Sequence, residues 1–193
     1  TQIGSTGEDT EGLDVAPTGA GAKWGGLGLD GALFVASESG TIRAITPGTY
    51  TMSTVIPAPP GGSTLPGAEE LTFVPLNLGA GGALEGLYSA NFPYPYPTNL
   101  FGDVQKISGN QFVGMEGDII ITSETGHGIF NLKLPPASTT AVFSQIGTYP
   151  NQPEDGLFVT AAVIAGADTP EPATLGLLGL GGLALLGRRR RIA

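Results

Sequence analysis

Leu33-Phe34-Val35-Ala36-Ser37-Glu38-Ser39-Gly40-Thr41-Ile42-Arg43-Ala44-Ile45 reads as an apolar run, a Ser-Glu-Ser-Gly turn and an alternating strand. The same grammar returns in Ile119-Ile120-Ile121-Thr122-Ser123-Glu124-Thr125-Gly126-His127-Gly128-Ile129-Phe130-Asn131-Leu132. β-branched and aromatic residues on either side of a glycine-bearing turn predict two hairpins. Between them, Gly86-Leu87-Tyr88-Ser89-Ala90-Asn91 opens a similar strand. After an insert rich in Pro and Tyr, Phe92 to Pro97, it closes with Asp103-Val104-Gln105-Lys106-Ile107.

A second element recurs beside these hairpins. Glu11-Gly12-Leu13-Asp14-Val15-Ala16-Pro17 resembles Glu69-Glu70-Leu71-Thr72-Phe73-Val74-Pro75, and Glu154-Asp155-Gly156-Leu157-Phe158-Val159 is a third copy. Each is an acidic start followed by a short apolar strand. Composition agrees: 32 glycines and 16 prolines in 193 residues, with 13% charged, leave little material for long amphipathic helices. Repeated units of roughly 40 residues, each of several short strands, suggest propeller blades. The expected fold is therefore all-β over residues 1–166, with blade-like antiparallel sheets from Glu11 to about residue 165; the alternative is a β-sandwich.

The acid-Gly-Leu strand, the Leu-Tyr strand and the glycine turn loosely resemble the six-bladed propellers of the gluconolactonase/regucalcin and NHL type. That resemblance implies an axis lined by one strand per blade. In gluconolactonase-like propellers a central divalent ion polarises a lactone carbonyl. The chain supplies three to four such units. It begins Thr1-Gln2-Ile3, with no signal peptide. Either a leader has been removed or earlier blades lie upstream, and the β-unit beginning near Glu11 favours the second.

Charge is unevenly distributed. Before Pro170 there are sixteen acids but only Lys23, Arg43, Lys106 and Lys133, a net of −12. Such a body should repel nucleic acid and anionic lipid. There is no cysteine, so disulfides cannot supply stability.

Residues 167–193 read as a separate unit in three parts. Pro170-Glu171-Pro172 comes first, then the uncharged Leu/Gly stretch Ala173 to Gly187, then Arg188-Arg189-Arg190-Arg191. Fifteen apolar residues make a helix of roughly 22 Å, short for a hydrocarbon core of about 30 Å. Flanking arginines can snorkel to close that gap. They also set the orientation, since positive residues stay cytoplasmic. Five glycines between Gly176 and Gly187 argue against a soluble core helix. Pro170-Glu171-Pro172, the short helix and the basic end together resemble the PEP-CTERM sorting signal. That resemblance implies an exosortase as partner, cleavage near Pro170, and a transient stay in the inner membrane through the C-terminal transmembrane helix. The body would then pass to the cell envelope or exterior of a Gram-negative host that makes exopolysaccharide.

No Gly-x-Ser-x-Gly elbow, phosphate loop or His/Cys metal pattern is present. The single histidine, His127, sits between two glycines and reads as an exposed turn residue. The acids that open the repeated strands, Glu11, Glu69, Glu70, Glu154 and Asp155, would converge if those strands line an axis. Glu11, Glu69, Glu154 and Asp155 are then candidate Ca²⁺ ligands, since Ca²⁺ takes six to eight oxygens. The plainer reading has them capping turns in solvent. In Phe92-Pro93-Tyr94-Pro95-Tyr96-Pro97 the prolines fix an extended path and push Tyr94 and Tyr96 outward, as in a carbohydrate- or peptide-binding loop. The alternative there is a loop clamped on the domain surface. Two function classes result: a non-enzymatic envelope or matrix component, and an exported lactonase-like propeller enzyme. The first is favoured, because catalytic residues cannot be assembled from this sequence.

Overall fold

A computed structural model describes residues 5–56, 65, 67–92 and 103–167. Eleven strands are found there. They are β1 (Thr10–Val15), β2 (Leu33–Ser37), β3 (Ile42–Ile45), β4 (Met52–Ile56), β5 (Ala68–Phe73), β6 (Gly86–Phe92), β7 (Asp103–Ser108), β8 (Ile119–Ser123), β9 (Gly128–Lys133), β10 (Val142–Thr148) and β11 (Gln152–Val159). One short helix, α1 (Ala161–Ala167), follows. Both expected hairpins form. β2 and β3 pair antiparallel around Gly40, whose φ of 84° suits the turn. β8 and β9 pair around Gly126 and His127, both at positive φ. His127 is half-buried in that turn, and its carbonyl accepts the Tyr149 N–H at 2.8 Å.

The strands form three antiparallel sheets, ordered β1-β2-β3-β4, β10-β9-β8-β5 and β11-β6-β7. The all-β expectation holds. The blades are not consecutive, however, and no closed propeller is formed by the described residues. The β6–β7 hairpin leaves the chain between β5 and β8, and β11 returns to pair with β6. Nor is this a two-layer sandwich, because the second sheet lies between the other two. The transmembrane helix expected over Ala173–Gly187 lies outside the described residues. Among the described residues no helix is long and apolar enough to cross a membrane.

The middle position of the second sheet explains its sequence. Ile119, Ile120 and Ile121 are all fully buried, since β8 is covered on both faces. Ile119 and Ile121 join Trp24, Phe34 and Phe73 in the core shared with the first sheet. Trp24 and Phe34 meet edge-on at 5.0 Å, Phe34 and Phe73 at 5.2 Å, and the Trp24 indole donates to the Gly117 carbonyl at 3.0 Å. Ile120 joins Leu87, Phe112 and Phe158 in the core shared with the third sheet.

One irregularity occurs three times. Thr10 faces Ser37 and Leu13 faces Val35, so three steps on β1 meet two on β2. Ala68 faces Ser123 and Leu71 faces Ile121. Pro153 faces Asn91 and Gly156 faces Ser89. Each sheet's β1, β5 or β11 therefore carries one extra residue at the same place, a β-bulge that re-aims the side chains beside it. The bulged pairs are Glu11-Gly12, Glu69-Glu70 and Glu154-Asp155, which makes Glu11, Glu69 and Glu154 equivalent positions.

The bulged strands also approach one another closely. A Cβ on Gly12 would lie 2.3 Å from the Leu71 backbone nitrogen and 2.6 Å from the Glu69 carbonyl oxygen. Two residues further along, Asp14 reaches across from β1 and accepts the Phe73 N–H at 2.8 Å. Gly156 faces the Glu70 carboxyl in the same way, with a hypothetical Cβ 2.1 Å from Oε1. Gly12→Ala should therefore destabilise the chain by about 2 kcal/mol or more, because rigid backbone blocks the new methyl. Gly26→Ala, at an exposed position with open space, should stay within about 0.5 kcal/mol. Urea unfolding of the two variants against wild type checks both values.

Candidate functional site

The bulges turn the acids of adjoining sheets toward one another. Carboxylate oxygens of Glu69, Glu124 and Glu154 all lie within 4.8 Å of each other, and all three residues are half-buried. Glu69 comes from the bulge of β5, Glu154 from the bulge of β11, and Glu124 from the β8–β9 turn. The Glu124 backbone N–H donates to the Gly67 carbonyl at 2.7 Å, which fixes the turn against the start of β5. Gly67, at φ 66°, leaves room for the Glu124 side chain. The Gln152 amide donates to Glu124 Oε1, and at 3.1 Å to Glu154 Oε1.

Three carboxylates this close cannot all stay ionised at ordinary cost. Burial first, and then the charges of Glu124, Glu11 and Glu154, push Glu69 up to about 8. Glu154 is also raised, by burial and by Glu124, against a hydrogen bond from Gln152 that favours its anion. Glu11 is raised by burial and by Asp9, Glu38 and Glu124. At neutral pH Glu69 thus holds a proton, hydrogen-bonded to Glu124. A divalent cation would replace that proton and bind up to six carboxylate oxygens, which suits the hard-oxygen preference of Ca²⁺.

A second carboxyl lies behind the first. Glu70, 1% exposed, accepts from the Ser89 hydroxyl at 2.9 Å, and Ser89 is 2.7 Å from the Tyr149 hydroxyl. Burial pushes Glu70 up to about 8, with Asp155 and Asp14 adding to the rise and Ser89 opposing it. Burial likewise raises Tyr149 to about 12. Glu70 Oε1 is buried without a partner. This group is sealed from solvent and serves the sheet interface.

Of the residues expected to bind metal, the structure brings Glu69 and Glu154 together. Glu11 occupies the equivalent bulge of β1 and acts on both through its charge, but lies outside the three-carboxylate cluster. Asp155 is exposed, and its charge bears on Glu70. Glu124 was missed. Its signal was present in the repeated Ser-Glu-x-Gly turn, which reads as turn chemistry and conceals that its acid points to the bulge. Tyr94, Tyr96, Pro170, Glu171, Pro172 and Arg188–Arg191 lie outside the described residues.

Residues 168–191 match the PEP-CTERM protein-sorting motif. The chain carries an exosortase sorting signal. The PEP-CTERM match covers the tail read from Pro170-Glu171-Pro172 onward, and it marks an exported protein anchored transiently in the membrane. Neither a curated protein nor a solved structure matches the chain.

The raised carboxyls give stability a definite pH dependence. Glu69 and Glu70 release their protons near pH 8 when folded and near 4.5 when unfolded. Between those values the folded chain holds more protons, so stability falls as pH rises from 4.5 to 8 and levels off above. Glu11 and Glu154, also raised, act in the same direction. Glu8, lowered by Ser39 and Arg43, loses its contribution only below the ordinary carboxyl range. Urea midpoints should be higher at pH 5 than at pH 8, and Glu69→Gln or Glu70→Gln should each reduce the difference.

Proposed function

We propose that this protein is a non-enzymatic component of the bacterial envelope or extracellular matrix, delivered by an exosortase and held together by Ca²⁺ at its bulged strands. The PEP-CTERM motif at residues 168–191 carries the first part of this reading. The helix over Ala173–Gly187 inserts with Arg188–Arg191 inside, and the enzyme cuts near Pro170. The acidic β domain is then released to the exopolysaccharide outside. Glu69, Glu124 and Glu154 supply the cation site, and Glu11 adds charge near it. Tyr94 and Tyr96 supply a stacking surface for sugar rings. A structural role suits the sealed Glu70–Ser89–Tyr149 group and the histidine held by a turn. A lactonase would need a metal open to substrate with a base beside it.

The sorting step is tested by intact mass of the protein recovered from the cell surface. The mature C-terminus should fall near residue 170, and recovery of the Arg188–Arg191 run on the surface form would reject the reading.

The metal is tested separately by thermal unfolding with Ca²⁺ or with chelator. A bound ion should raise the melting temperature as its concentration exceeds Kd, with a gain of about 2.7 kcal/mol at a hundredfold excess. Glu154→Gln should lose most of that gain. In chelator it should melt above wild type, because one repelling carboxylate is gone. Identical melting of wild type in both conditions would reject the site.

A further inference from the structure

The bulged strands give this molecule two unlike ends. β1, β5 and β11 lie side by side and run the same way: the Gly12 backbone lies against that of Leu71, Asp14 bonds to the Phe73 N–H, and Gly156 lies against Glu70. Their first residues lead into the carboxylate cluster. Their last residues, Val15, Phe73 and Val159, share the opposite end with the starts of β6 and β8 and the end of β9. The chain leaves through that end, since α1 follows Val159 and its first residue lies against Gly81, in the connection that follows β5. Residues 168–191, which match the sorting motif, come next. Five residues separate Ala167 from Ala173, and they reach at most about 20 Å. On the reading that Ala173–Gly187 enters the bilayer, the exit end is therefore the part of the body nearest the membrane.

The surface of that end differs from the rest. A net charge of −12 before Pro170 predicts repulsion from anionic lipid, but the charge is divided by end. Three of the body's four basic residues are at the exit. Lys133 ends β9 and is exposed, exposed Lys106 reaches the Ala83 carbonyl, and Lys23 pairs with Asp118 at 2.7 Å. The acids of this end are turned inward: Glu85 and Asp118 are buried, and Asp14, Asp30 and Glu116 are half-buried. Among the described residues the exposed acids are Glu8, Asp9, Glu11, Glu38, Asp103 and Asp155, at the bulges or the opposite end. Apolar side chains stand out at the exit as well. Tyr50 in the β3–β4 turn is 58% exposed, Leu84 before β6 60%, Val113 before β8 65% and Val163 of α1 45%. Singly such residues are ordinary. Here four separate connections place them at the one end that carries the lysines and leads to the sorting motif. The chain over 57–64 and 93–102 joins the described residues at the opposite end, at Ile56, Phe92 and Asp103.

We propose that the exit end is a lipid-docking surface, which rests on anionic phospholipid headgroups while the tail is in the bilayer. Lys106 and Lys133 meet the phosphates, and Tyr50, Leu84, Val113 and Val163 enter the headgroup layer, where aromatic rings are favoured. The acidic cluster does not prevent this. Glu154 stands five residues before Val159, roughly 17 Å along the strand, beyond a Debye length of about 8 Å. The tether supplies the effective concentration that so small a patch needs. One weak signal does not hold a protein on a membrane, so a cut near Pro170 would also free the docked face. The inference rests on the membrane-entering tail and is independent of Ca²⁺.

The chain has no cysteine, so a single one can be introduced at Val113 or, in the β8–β9 turn at the opposite end, at Thr125. Each full-length variant carries the same fluorophore and is reconstituted in vesicles of phosphatidylcholine with phosphatidylglycerol. A lipid with a nitroxide on its headgroup should quench position 113 several-fold more than position 125. Lys106→Glu with Lys133→Glu should bring position 113 down toward the level of position 125, as should vesicles of phosphatidylcholine alone. Lys106→Arg with Lys133→Arg should keep it high, and an unchanged circular dichroism spectrum confirms that each variant folds. Equal quenching at the two positions in a chain that floats with the vesicles would overturn the docking and leave the tail reading intact. Strong quenching at position 113 that ignores both charge reversal and lipid charge would do the same, since the tether alone produces it. A chain that does not float with the vesicles would overturn the tail reading and this inference together.

Discussion

The close approach of three bulged strands is the constraint on which the rest of this molecule depends. The extra residue in β1, β5 and β11 falls at the same point of each sheet. It leaves the backbone of one strand exposed to its neighbour, and Gly12 uses that opening because any side chain would collide with the backbone of β5. Gly156 performs the corresponding service at the second junction, where Glu70 folds over it. Packing on either side then follows. Phe34 and Phe73 can meet edge-on, and Ile119 to Ile121 can fill two cores at once, only because the sheets are held at this distance. The same approach buries carboxylates and crowds them, and burial first, then their mutual charge, pushes four of the acids here above their ordinary range.

Those acids conflict with stability unless something neutralises them. Buried ionised carboxylates cost several kcal/mol each, and proteins meet that cost with a proton, a hydrogen bond or a counter-ion. Glu70 takes the proton and the Ser89 hydroxyl, and is buried away from bulk solvent. Glu69, Glu124 and Glu154 are half-buried, so solvent ions can reach them. Two neighbouring carboxyl groups thus divide into a sealed one that keeps its proton and an accessible one that can trade it for a cation. Burial separates the two cases, although both acquire similar proton affinities.

Much of this was legible in the sequence, and the misses have physical causes. Local grammar revealed the β2–β3 and β8–β9 hairpins, because turn glycines and apolar runs act over a few residues. Matched positions marked Glu69 and Glu154. The partnership of β11 with β6 and β7 was not legible, since pairing across some sixty residues leaves no local trace. The blade units were accordingly read as consecutive, whereas the second and third sheets are each assembled from two distant pieces. Asp155 was named with Glu154 because both acids open the third repeated strand. The bulges make Glu154 the equivalent of Glu11. Neighbouring residues of a strand serve opposite faces, and Asp155 is exposed while Glu154 meets Glu69 and Glu124. Glu124 was hidden by its turn, where a glutamate needs no further explanation.

The tail and the body place complementary demands on the same protein. PEP-CTERM sorting sends the domain out of the cell, where a chain without cysteine gains nothing from the oxidising surroundings. Extracellular calcium modules work with dissociation constants of about 10⁻⁴ to 10⁻³ M, so a modest site of three carboxylates would be occupied there. Before export the cluster would remain protonated or strained, and the fold correspondingly weaker. On the proposed reading, export and stability are therefore linked by one side-chain cluster. The three sheets come together at the cost of crowding Glu69, Glu124 and Glu154, and on the proposed reading calcium in the destination would offset that cost. Such a domain would be most stable in the compartment to which its last residues direct it.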